Sequence, residues 1–590
     1  MCAKRSVLSN AEFNSTESKP EEGLLTFTDI IEFRAKQEPE KPAFAYYYDG
    51  ENEVETWNYR DLKNAIALVS QKLCDYSLYQ KPILLLFEPG LTFIATYLAT
   101  ISSGGIAVPC HPPTGKRQIK RLHKLILDCH PSLILYSNKV RRTTPQLDSL
   151  TAELSTKQCQ IEEFNLPKNI DETHWVHSNI TPDGLAMIQY TSASTGAPKG
   201  VILDQQNLVA NSRAIYQWLG AHPQRQGCVW LPPYHDMGLL GGIMQPLYAG
   251  FPLSFMSPMH FIQQPLRWIK LLSDNKLTTT GAPNFAFQLC VDTISDEELY
   301  QNQIDLSCVR EIFCGSEPIN PQTMLNFNTK FIPFGLPETA INPCYGMAET
   351  TLFISGKPAK TRFRHHLFSK IQLEQGVAEL TANSVDAVAL ISNGKPDRQF
   401  LVKIVDPGSK KELKDKQVGE IWLHGQSVAH GYYGQTTQTT EAFCNTLQGE
   451  TALFYRSGDL GFIYDGELYV TGRLKDVIII RGRNLYPQDI ENCALSALER
   501  EMSLFAAVFT ITKDATEQLV VVVEVKGKPS LQSRETMLYK IEAAITSEFN
   551  VRPHAISVVP QLSIPRTTSG KVQRIASKEA WEAQTLRTFI

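Results

Sequence analysis

The sequence predicts an α/β protein in which a large domain of mostly parallel sheets flanked by helices precedes a small α+β domain. The chain has 590 residues, more than a single hydrophobic core ordinarily organises. Short apolar runs alternate with amphipathic segments in its first part, which is typical of parallel strands covered by helices. After Gly472 the chain changes to valine- and isoleucine-rich runs between two helical patterns, and this change predicts a second, compact unit.

The individual elements follow from the spacing of apolar residues and from turn residues between them. Residues 1–22 are polar and predict a mobile N-terminal segment. The predicted helices are Phe27–Gln37, Tyr59–Cys74, Thr92–Ser102, Pro487–Leu498 and Thr536–Phe549. The predicted strands are Ala43–Tyr48, Glu53–Trp57, Pro82–Phe87, Ile106–Pro109, Leu133–Tyr136, Val477–Ile480, Phe505–Phe509 and Leu519–Val523.

A basic run lies beside an apolar stripe between residues 116 and 126. A solvated helix face is the favoured interpretation, because charge on an exposed face is ordinary, and a docking patch for an acidic partner is the alternative. The run consists of Lys116, Arg117, Lys120, Arg121 and Lys124, and the stripe of Leu122, Leu125 and Ile126.

Composition excludes several classes of function. Hydrophobic residues make up 43% and charged residues 20%, which fits a soluble globular protein. The net charge of −4 gives no overall field for nucleic acid, and no apolar run approaches the ~18–20 residues of a membrane helix. The N-terminus lacks the long apolar stretch of a signal peptide, and the 12 cysteines show no metal-like spacing. We therefore expect a cytoplasmic protein with reduced thiols.

A polar loop, Tyr-Thr-Ser-Ala-Ser-Thr-Gly-Ala-Pro-Lys-Gly at 190–200, lies between the predicted strands Leu185–Tyr190 and Val201–Leu203. Small residues in a tight turn leave backbone N–H groups free for a polyphosphate, and a lysine adds positive charge. A serine- and glycine-rich surface turn is the alternative. The loop lacks Gly-Lys-Ser/Thr, which argues against a P-loop NTPase. The candidate phosphate-binding residues are Thr191, Ser192, Ser194, Thr195, Gly196 and Lys199.

Residues 230–244 set a His-Asp pair between a proline-stiffened turn and a glycine-rich segment that we expect to be a helix. Glycines weaken a helix, so their presence indicates close approach by another group, either an acyl chain or a packed neighbour. The residues alone leave both open. The candidate acyl-binding residues are His235, Asp236, Met237, Gly238, Gly241 and Gly242.

A series of blocks in a fixed order resembles the adenylate-forming superfamily of acyl-CoA ligases, luciferases, peptide-synthetase adenylation domains and fatty acyl-AMP ligases. The loop at 190–200 departs from the usual form only in having Ala193 in place of glycine, which limits the flexibility of that part of the loop. The other blocks are Phe313–Ile319, Asn342–Thr351, Gly419–Gly425, Gly431–Tyr433, Tyr455–Gly461, Gly472–Asp476 and Pro565–Arg574.

Three features resemble fatty acyl-AMP ligases in particular. They are Trp-Leu-Pro-x-x-His-Asp-Met-Gly-Leu at 230–239, Gly-Arg-Asn-x-Tyr-Pro-x-Asp-Ile-Glu at 482–491, and extra chain at about 355–376. A tolerated surface loop is the alternative explanation of the insertion. The basic residues in and around the insertion, which we expect to stay in water, are Lys357, Lys360, Arg362, Arg364, His365, His366 and Lys370. The apolar residues able to pack on a folded surface are Phe363, Leu367, Phe368, Ile371 and Leu373.

The resemblance implies a reaction in which a medium- or long-chain fatty carboxylate attacks the α-phosphorus of ATP, with Mg²⁺ as cofactor. The products are acyl-AMP and pyrophosphate, and the acyl group then passes to the phosphopantetheine thiol of a separate acyl carrier protein. One alternative is a fatty acyl-CoA ligase that uses free CoA. A second, of another class, is a non-catalytic acyl- or nucleotide-binding module.

The resemblance also implies a role for each matching residue. Lys571 bridges the carboxylate and the α-phosphate, Lys199 holds the leaving phosphates, and Glu349 carries Mg²⁺. Asp459 accepts hydrogen bonds from the ribose hydroxyls, with Arg473 beside it. His235 lines the acyl entrance, because a carboxylate nucleophile needs no base. The residues that enclose the adenine or adjoin it are Gly315, Ser316, Glu317, Asn342, Tyr345, Gly346, Met347 and Ala348.

On the same basis the chain divides into a large ATP- and acyl-binding domain at 23–472, a hinge at 473–475, and a small domain at 476–590 that carries Lys571. Rotation about Lys475 would move Lys571 in or out of the site. Transfer to CoA in related ligases needs that rotation. An insertion packed near the hinge would limit it and so reject CoA as acceptor.

Overall fold

The structure is a computed structural model. It describes residues 23–113, 115–144, 159–167, 170–175, 179–191, 199–220, 222, 224–383, 386–480, 483–498, 503–513, 516–567 and 570–589. The predicted N-terminal segment 1–22 lies outside these residues. Within them, every helix is too short or too polar to cross a membrane.

The chain alternates between strands and helices for most of its length. The strands are β1 (Pro42–Tyr47), β2 (Val54–Asn58), β3 (Pro82–Leu86), β4 (Ile106–Cys110), β5 (Leu133–Tyr136), β6 (Gln160–Glu163), β7 (Leu185–Thr191), β8 (Lys199–Asp204), β9 (Gly227–Val229), β10 (Leu253–Met256), β11 (Thr279–Ala282), β12 (Glu311–Cys314), β13 (Ile341–Gly346), β14 (Phe353–Gly356), β15 (His365–Ser369), β16 (Ala387–Ile391), β17 (Lys395–Pro396), β18 (Phe400–Val405), β19 (Gly419–Gly425), β20 (Tyr455–Tyr464), β21 (Glu467–Arg473), β22 (Ile478–Ile480), β23 (Arg483–Leu485), β24 (Ser503–Lys513), β25 (Thr516–Val525) and β26 (Ala555–Pro560).

The helices cover the sheets and connect their strands. They are α1 (Phe27–Gln37), α2 (Tyr59–Cys74), α3 (Leu91–Ser102), α4 (Lys116–Cys129), α5 (Asn138–Thr143), α6 (Gln205–Leu219), a π-helix (Met237–Met244), α7 (Gln245–Ala249), α8 (Pro258–Gln263), α9 (Leu266–Asp274), α10 (Asn284–Thr293), α11 (Asp296–Gln301), α12 (Pro321–Phe331), α13 (Lys370–Glu374), α14 (Thr436–Phe443), α15 (Pro487–Ser496), α16 (Leu531–Phe549) and α17 (Arg574–Glu582). Short 3₁₀ turns lie at Ile332–Phe334, Ala348–Thr350 and Leu474–Asp476.

Two mainly parallel sheets form the frame of the large domain. One has nine strands in the order β17-β14-β13-β12-β11-β9-β10-β1-β2, and the other has six in the order β6-β5-β3-β4-β7-β8. Their central pairs are parallel, whereas the pairs towards the edges, β1–β2, β7–β8, β13–β14 and β14–β17, are antiparallel. Helices on the sheet faces bury near-continuous apolar strands, as parallel sheets require. The predicted α/β fold is confirmed.

The local predictions hold best where apolar spacing decides the structure. The helices α1 and α2 begin and end at the predicted residues, and β1 and β2 form the predicted antiparallel pair. Thr26 and Asn58 cap the two helices through capping boxes, which explains why both helices start sharply. Arg34 is fully buried and donates from Nη2 to the Tyr248 carbonyl at 2.6 Å, so it joins α1 to α7.

An antiparallel sheet, β18-β19-β20-β21, precedes the C-terminal unit. That unit contains the hairpin β22–β23 and a three-stranded sheet, β24-β25-β26, which α15 and α16 cover. Val508, Val521, Ile541 and Ile545 are fully buried in a core of its own. The predicted strands and helices after Gly472 all occur, and β24, β25 and α16 are longer than the apolar runs that predicted them.

The insertion packs against the large domain. Phe368 of β15 is fully buried, with its ring centroid 5.1 Å from that of Phe462 and 5.6 Å from that of Tyr469, on β20 and β21. Leu373 is buried in the same cluster, whereas Ile371 is 56% exposed. The apolar residues of the insertion therefore divide into a packed set and an exposed set.

Lys357 corrects the expectation that the basic residues of this region stay in water. Its side chain is buried, and Nζ donates to the carbonyls of Thr339 at 3.1 Å and Thr361 at 2.5 Å. Burial lowers the pKa of Lys357 to about 8. This lysine stabilises the start of the insertion and is not available for docking.

Candidate active site

A cavity of about 2400 Å³ lies between the large domain and the C-terminal unit. Pockets for a single small ligand occupy roughly 300–1,000 Å³, so this one has room for more than one substrate. Most of the predicted site residues line it: Thr191, Lys199, His235, Asp236, Met237, Gly241, Gly242, Gly315, Ser316, Glu317, Tyr345, Gly346, Met347, Ala348, Glu349, Asp459, Arg473, Lys475 and Lys571.

The remaining predicted residues fall into two groups. Gly238 and Asn342 do not line the cavity, and Asn342 is buried beneath it on β13. Ser192, Ser194, Thr195 and Gly196 lie outside the described residues.

The phosphate end of the cavity is framed by β7 and β8, which pair antiparallel with Thr191 opposite Lys199. Lys199 therefore emerges from the end of a strand into the cavity. Its Nζ lies 4.5 Å from the ring centroid of Tyr432. Burial lowers the pKa of Lys199, and the carboxylate of Glu349 opposes that shift. This lysine is placed to neutralise an anion at the loop.

Glu349 lies on the 3₁₀ turn that follows β13. Its Oε1 accepts a hydrogen bond from the hydroxyl of Tyr432 at 3.1 Å. Burial raises the pKa of Glu349, whereas Arg473 and Lys199 oppose the shift. A partly buried carboxylate beside a lysine that is predicted to bind phosphate fits Mg²⁺, which is usually held by one or two carboxylates together with substrate phosphates.

The residues predicted to bind the ribose lie on neighbouring strands. Asp459 on β20 lies opposite Arg473 on β21, and Arg473 Nε is 3.2 Å from Asp459 Oδ1. The hydroxyl of Tyr345 donates to Asp459 Oδ2 at 2.8 Å. Each carboxylate oxygen keeps a second lone pair, so Asp459 is oriented by protein donors and still able to accept bonds from a diol.

Residues 315–317, which are predicted to adjoin the adenine, follow β12. Ser316 has φ of +72°, an uncommon conformation for a residue with a side chain. A Cβ on Gly315 would approach the Cys344 sulfur to 3.0 Å, so the segment packs directly on β13. Glu317 Oε1 accepts the backbone N–H of Phe285 at 2.6 Å, and burial raises the pKa of Glu317. These contacts form a rigid wall.

Lys571 reaches the cavity from the C-terminal unit. Its backbone N–H donates to Thr567 Oγ1 at 3.0 Å, which closes a tight turn. A Cβ on Gly570 would meet the ring of Phe285 at 3.2 Å, so the turn contacts the large domain. Burial lowers the pKa of Lys571, and the nearby charges that act on its ammonium group belong to Asp236, Arg473, Glu317 and Asp459. The residues predicted to bind the acyl chain, the ribose and the adenine thus line the same cavity as this lysine.

His235 and Asp236 follow the Pro232–Pro233 turn as predicted. Burial, together with the charges of Lys571 and Arg121, lowers the pKa of His235 to about 3, so its imidazole is neutral at physiological pH. Asp236 Oδ1 accepts its neighbour Met237's N–H at 2.7 Å, and burial raises the pKa of Asp236. A neutral imidazole suits an apolar entrance better than a charged one would.

The glycine-rich segment forms a π-helix where the sequence predicted an ordinary helix. A Cβ on Gly238 would lie 2.1 Å from the Pro232 carbonyl oxygen, so this glycine permits close packing on the preceding turn, and it does not line the cavity. A Cβ on Gly242 would press on Val229 at 3.0 Å, so it too packs closely. At Gly241 a Cβ would meet only the end of the Leu352 side chain, at 3.1 Å.

Met237, Gly241 and Gln245 all line the cavity at intervals of four residues. They form one stripe along the π-helix and into α7. The neighbouring lining residues include Ile215, Leu219, Val229, Phe251 and Leu253, which make this branch of the cavity largely apolar.

Sequence reasoning missed two contacts within the site. Tyr432 links Lys199 to Glu349, although only its membership in the Gly-Tyr-Tyr block drew attention to it. Phe285 supports both Glu317 and the Lys571 turn, and no pattern in the sequence signals it.

The profile of AMP-binding enzymes matches residues 31–433 of this chain. The profile of the AMP domain of Disco-interacting protein 2-like proteins matches residues 475–589. Together the two matches run from the first helix of the large domain almost to the end of the chain.

Two similar proteins and one solved structure match the chain over most of its length. A medium-chain-fatty-acid–[acyl-carrier-protein] ligase of Moorena producens is 35% identical and is matched over 96% of this chain and 98% of its own. A long-chain-fatty-acid–AMP ligase of Mycolicibacterium smegmatis is 34% identical over 86% and 85%. A crystal structure of a fatty acyl-adenylate ligase from L. pneumophila, in complex with acyl adenylate and pyrophosphate, is 31% identical over 96% and 98%, with a TM-score of 0.74.

Proposed function

The chain belongs to the AMP-binding enzyme family and is a fatty acyl-AMP ligase of the adenylate-forming superfamily. From this premise we propose that it activates a medium- or long-chain fatty acid for a separate acyl carrier protein. The carboxylate oxygen of the acid bonds to the α-phosphorus of ATP, and pyrophosphate leaves. The acyl group then passes from AMP to the phosphopantetheine thiol of the carrier.

The position of Lys571 is the observation that carries this proposal. A partly buried lysine from the C-terminal unit lines the same cavity as Asp236, Glu317, Asp459 and Arg473, and their charges act on its ammonium group. Two anions, a carboxylate and a triphosphate, must meet for adenylation to occur. A positioned ammonium group between them lowers the electrostatic cost without rearrangement at the moment of reaction.

The other residues bind different parts of the nucleotide along the cavity. Lys199 neutralises the β- and γ-phosphates, and Asp459 orients the ribose through its two hydroxyls. Glu349 would hold Mg²⁺, which as a hard cation supplies further charge neutralisation on the phosphate oxygens when bound. Among the described residues no group of three histidine, cysteine or carboxylate side chains could hold a metal alone. The fit is therefore to an ion held mainly by the nucleotide.

A fatty acyl-CoA ligase, which uses free CoA as acceptor, is the second candidate function, because such an enzyme would use the same adenylation site. The insertion favours the carrier protein. Lys370 Nζ lies 2.7 Å from Glu548 Oε1, and Arg483 forms two hydrogen bonds of 2.7 Å with Glu374. Both pairs join the insertion to the C-terminal unit and oppose the rotation that transfer to CoA needs.

One experiment separates the candidates. The enzyme is incubated with dodecanoate, ATP and Mg²⁺, acyl-AMP is quantified, and either CoA or a panel of holo acyl carrier proteins is then added. Acylated carrier with little acyl-CoA is the expected result. Acyl-CoA formed as fast as acyl-AMP would assign the chain to the CoA ligases, and absence of acyl-AMP would refute the adenylation chemistry.

A further inference from the structure

We propose that the exposed face of α4 is the docking surface for the acidic carrier protein that receives the acyl group. This inference rests on the proposed function and deepens it, because it names where the acceptor binds. The surface is defined by Lys120, Arg121 and Lys124, which are all exposed.

The helix separates its two faces sharply. Leu122, Leu125 and Ile126 are buried against the six-stranded sheet. Lys120, Arg121 and Lys124 are on the opposite, exposed side. None of these three cations forms a hydrogen bond or ion pair with another residue in the part of the chain that the structure describes, whereas Lys72, Lys403 and Arg552 on other exposed surfaces do. Three unpaired like charges within two turns repel one another, and an anionic partner would relieve that repulsion.

The helix adjoins the cavity at both ends. At one end, Arg121 lies near His111, whose ring centroid is 4.7 Å from that of Tyr234, next to cavity-lining His235. At the other end, Asp128 accepts hydrogen bonds from Tyr190 and Gln435, which also line the cavity. A protein seated on α4 would therefore stand beside the cavity that a thiol must enter to reach the acyl-AMP.

The chemistry of the acceptor indicates which partner binds the α4 surface. A carrier protein is a folded, acidic body that must remain outside while its phosphopantetheine arm enters. This chain carries a net charge of −4, so general attraction would not bring an acidic partner to it. A local basic face beside the entrance supplies both attraction and orientation, and such steering acts mainly on the association rate.

The test compares three acceptors that each carry the same kind of thiol, at the end of a pantetheine group. The variant Lys120→Glu/Lys124→Glu reverses two charges and leaves Arg121, with its link to His111, unchanged. Its matched control is Lys410→Glu/Lys411→Glu, two exposed lysines that do not line the cavity. Acyl transfer is measured to a purified, negatively charged holo acyl carrier protein, to free pantetheine and to CoA, at low and high salt.

We expect the α4 variant to raise the KM for the carrier at least tenfold at low salt, with the difference shrinking at high salt because charges are screened. Acyl-AMP formation and transfer to pantetheine should match the wild type, and the control variant should leave all three acceptors unaffected. An unchanged KM for the carrier would overturn the proposal, and so would an equal loss with CoA, which would make α4 a phosphate site. If the wild type acylates no acceptor, the proposed function itself fails.

Discussion

At the scale of single residues, the site depends on charges that the fold has already oriented. Asp459 is held by Tyr345 and Arg473, Glu349 by Tyr432, and Glu317 by the Phe285 backbone. Each carboxylate has at least one protein donor, and this fixes its direction before a substrate arrives. Such preorganisation is what lets fixed charges act on a transition state without reorganisation.

Replacement of Lys571 by alanine should lower acyl-AMP formation by about 10²–10³-fold, because one positioned charge at the reacting phosphorus is lost. Pyrophosphate release measures the rate, and calorimetry measures ATP binding, which should be nearly unchanged. Lys578→Ala, on α17 and away from the cavity, is the matched control. Near wild-type adenylation by the Lys571 variant would remove this residue from the mechanism.

Replacement of Asp459 by alanine should weaken ATP binding about tenfold or more, since each charge-assisted hydrogen bond is worth about 1.5–3 kcal/mol. The measurement is titration calorimetry without fatty acid. Tyr345→Phe removes only the hydroxyl that orients the carboxylate, so it should cost less. If the alanine variant binds ATP as tightly as the wild type, the ribose lies elsewhere.

At the scale of elements, the π-helix shapes the acyl branch of the cavity. Along this helix Gly241 lines the cavity, and a Cβ there would meet only the Leu352 side chain, whereas Gly238 and Gly242 pack on Pro232 and Val229. Single π-turns inside helical segments are rare and often mark functional sites. The cavity wall formed by this helix is therefore loosely packed at Gly241 and tightly packed at Gly238 and Gly242.

Gly241→Leu should therefore shorten the acyl branch and spare the fold. The wild type should activate medium- and long-chain fatty acids far better than acetate, because each methylene buried in the cavity contributes about 0.8 kcal/mol of binding free energy. Loss of contact with about three methylenes would lower kcat/KM for dodecanoate roughly 50-fold, while butyrate is used as before. Gly408→Leu, where a Cβ meets only Asp406 at 3.6 Å, is the control. Equal turnover of acetate and dodecanoate by the wild type would contradict an acyl branch altogether.

Elements set by local pattern were predictable from the sequence, whereas contacts between distant segments were not. The bounds of α2 follow from its apolar spacing and its capping box. The hydrogen bond from Tyr432 to Glu349 spans 83 residues, and the ion pair of Arg483 with Glu374 spans 109. No periodicity encodes such pairings, because tertiary packing selects them. Lys357 illustrates the same limit, since a lysine in a basic run gave no sign of being buried.

At the scale of the whole molecule, the structure has the C-terminal unit turned inward, with Lys571 in the cavity and the insertion attached to both bodies. Phe368 anchors the insertion on β20 and β21, and Lys370 and Glu374 pair with Glu548 and Arg483. The insertion thus spans the junction at Lys475, about which the small domain is expected to rotate. Rotation away from this arrangement has to break both ion pairs.

Lys370→Ala combined with Glu374→Ala should raise acyl-CoA output several-fold and spare acyl-AMP formation. Partly exposed ion pairs contribute about 0.2–1 kcal/mol each, so the loss of two would increase the rotated population roughly 2- to 30-fold.

Point substitution is a sharper test than removal of the segment from Lys357 to Lys370, because that removal would delete β15 and its core residue Phe368. Acyl-AMP and acyl-CoA are measured in parallel by chromatography. Lys403→Ala with Glu412→Ala breaks a pair of 3.0 Å within the large domain and should change neither product. If the double variant makes no more acyl-CoA than the wild type, these two ion pairs do not restrain the small domain, and exclusion of CoA must come from the shape or charge of the acceptor entrance.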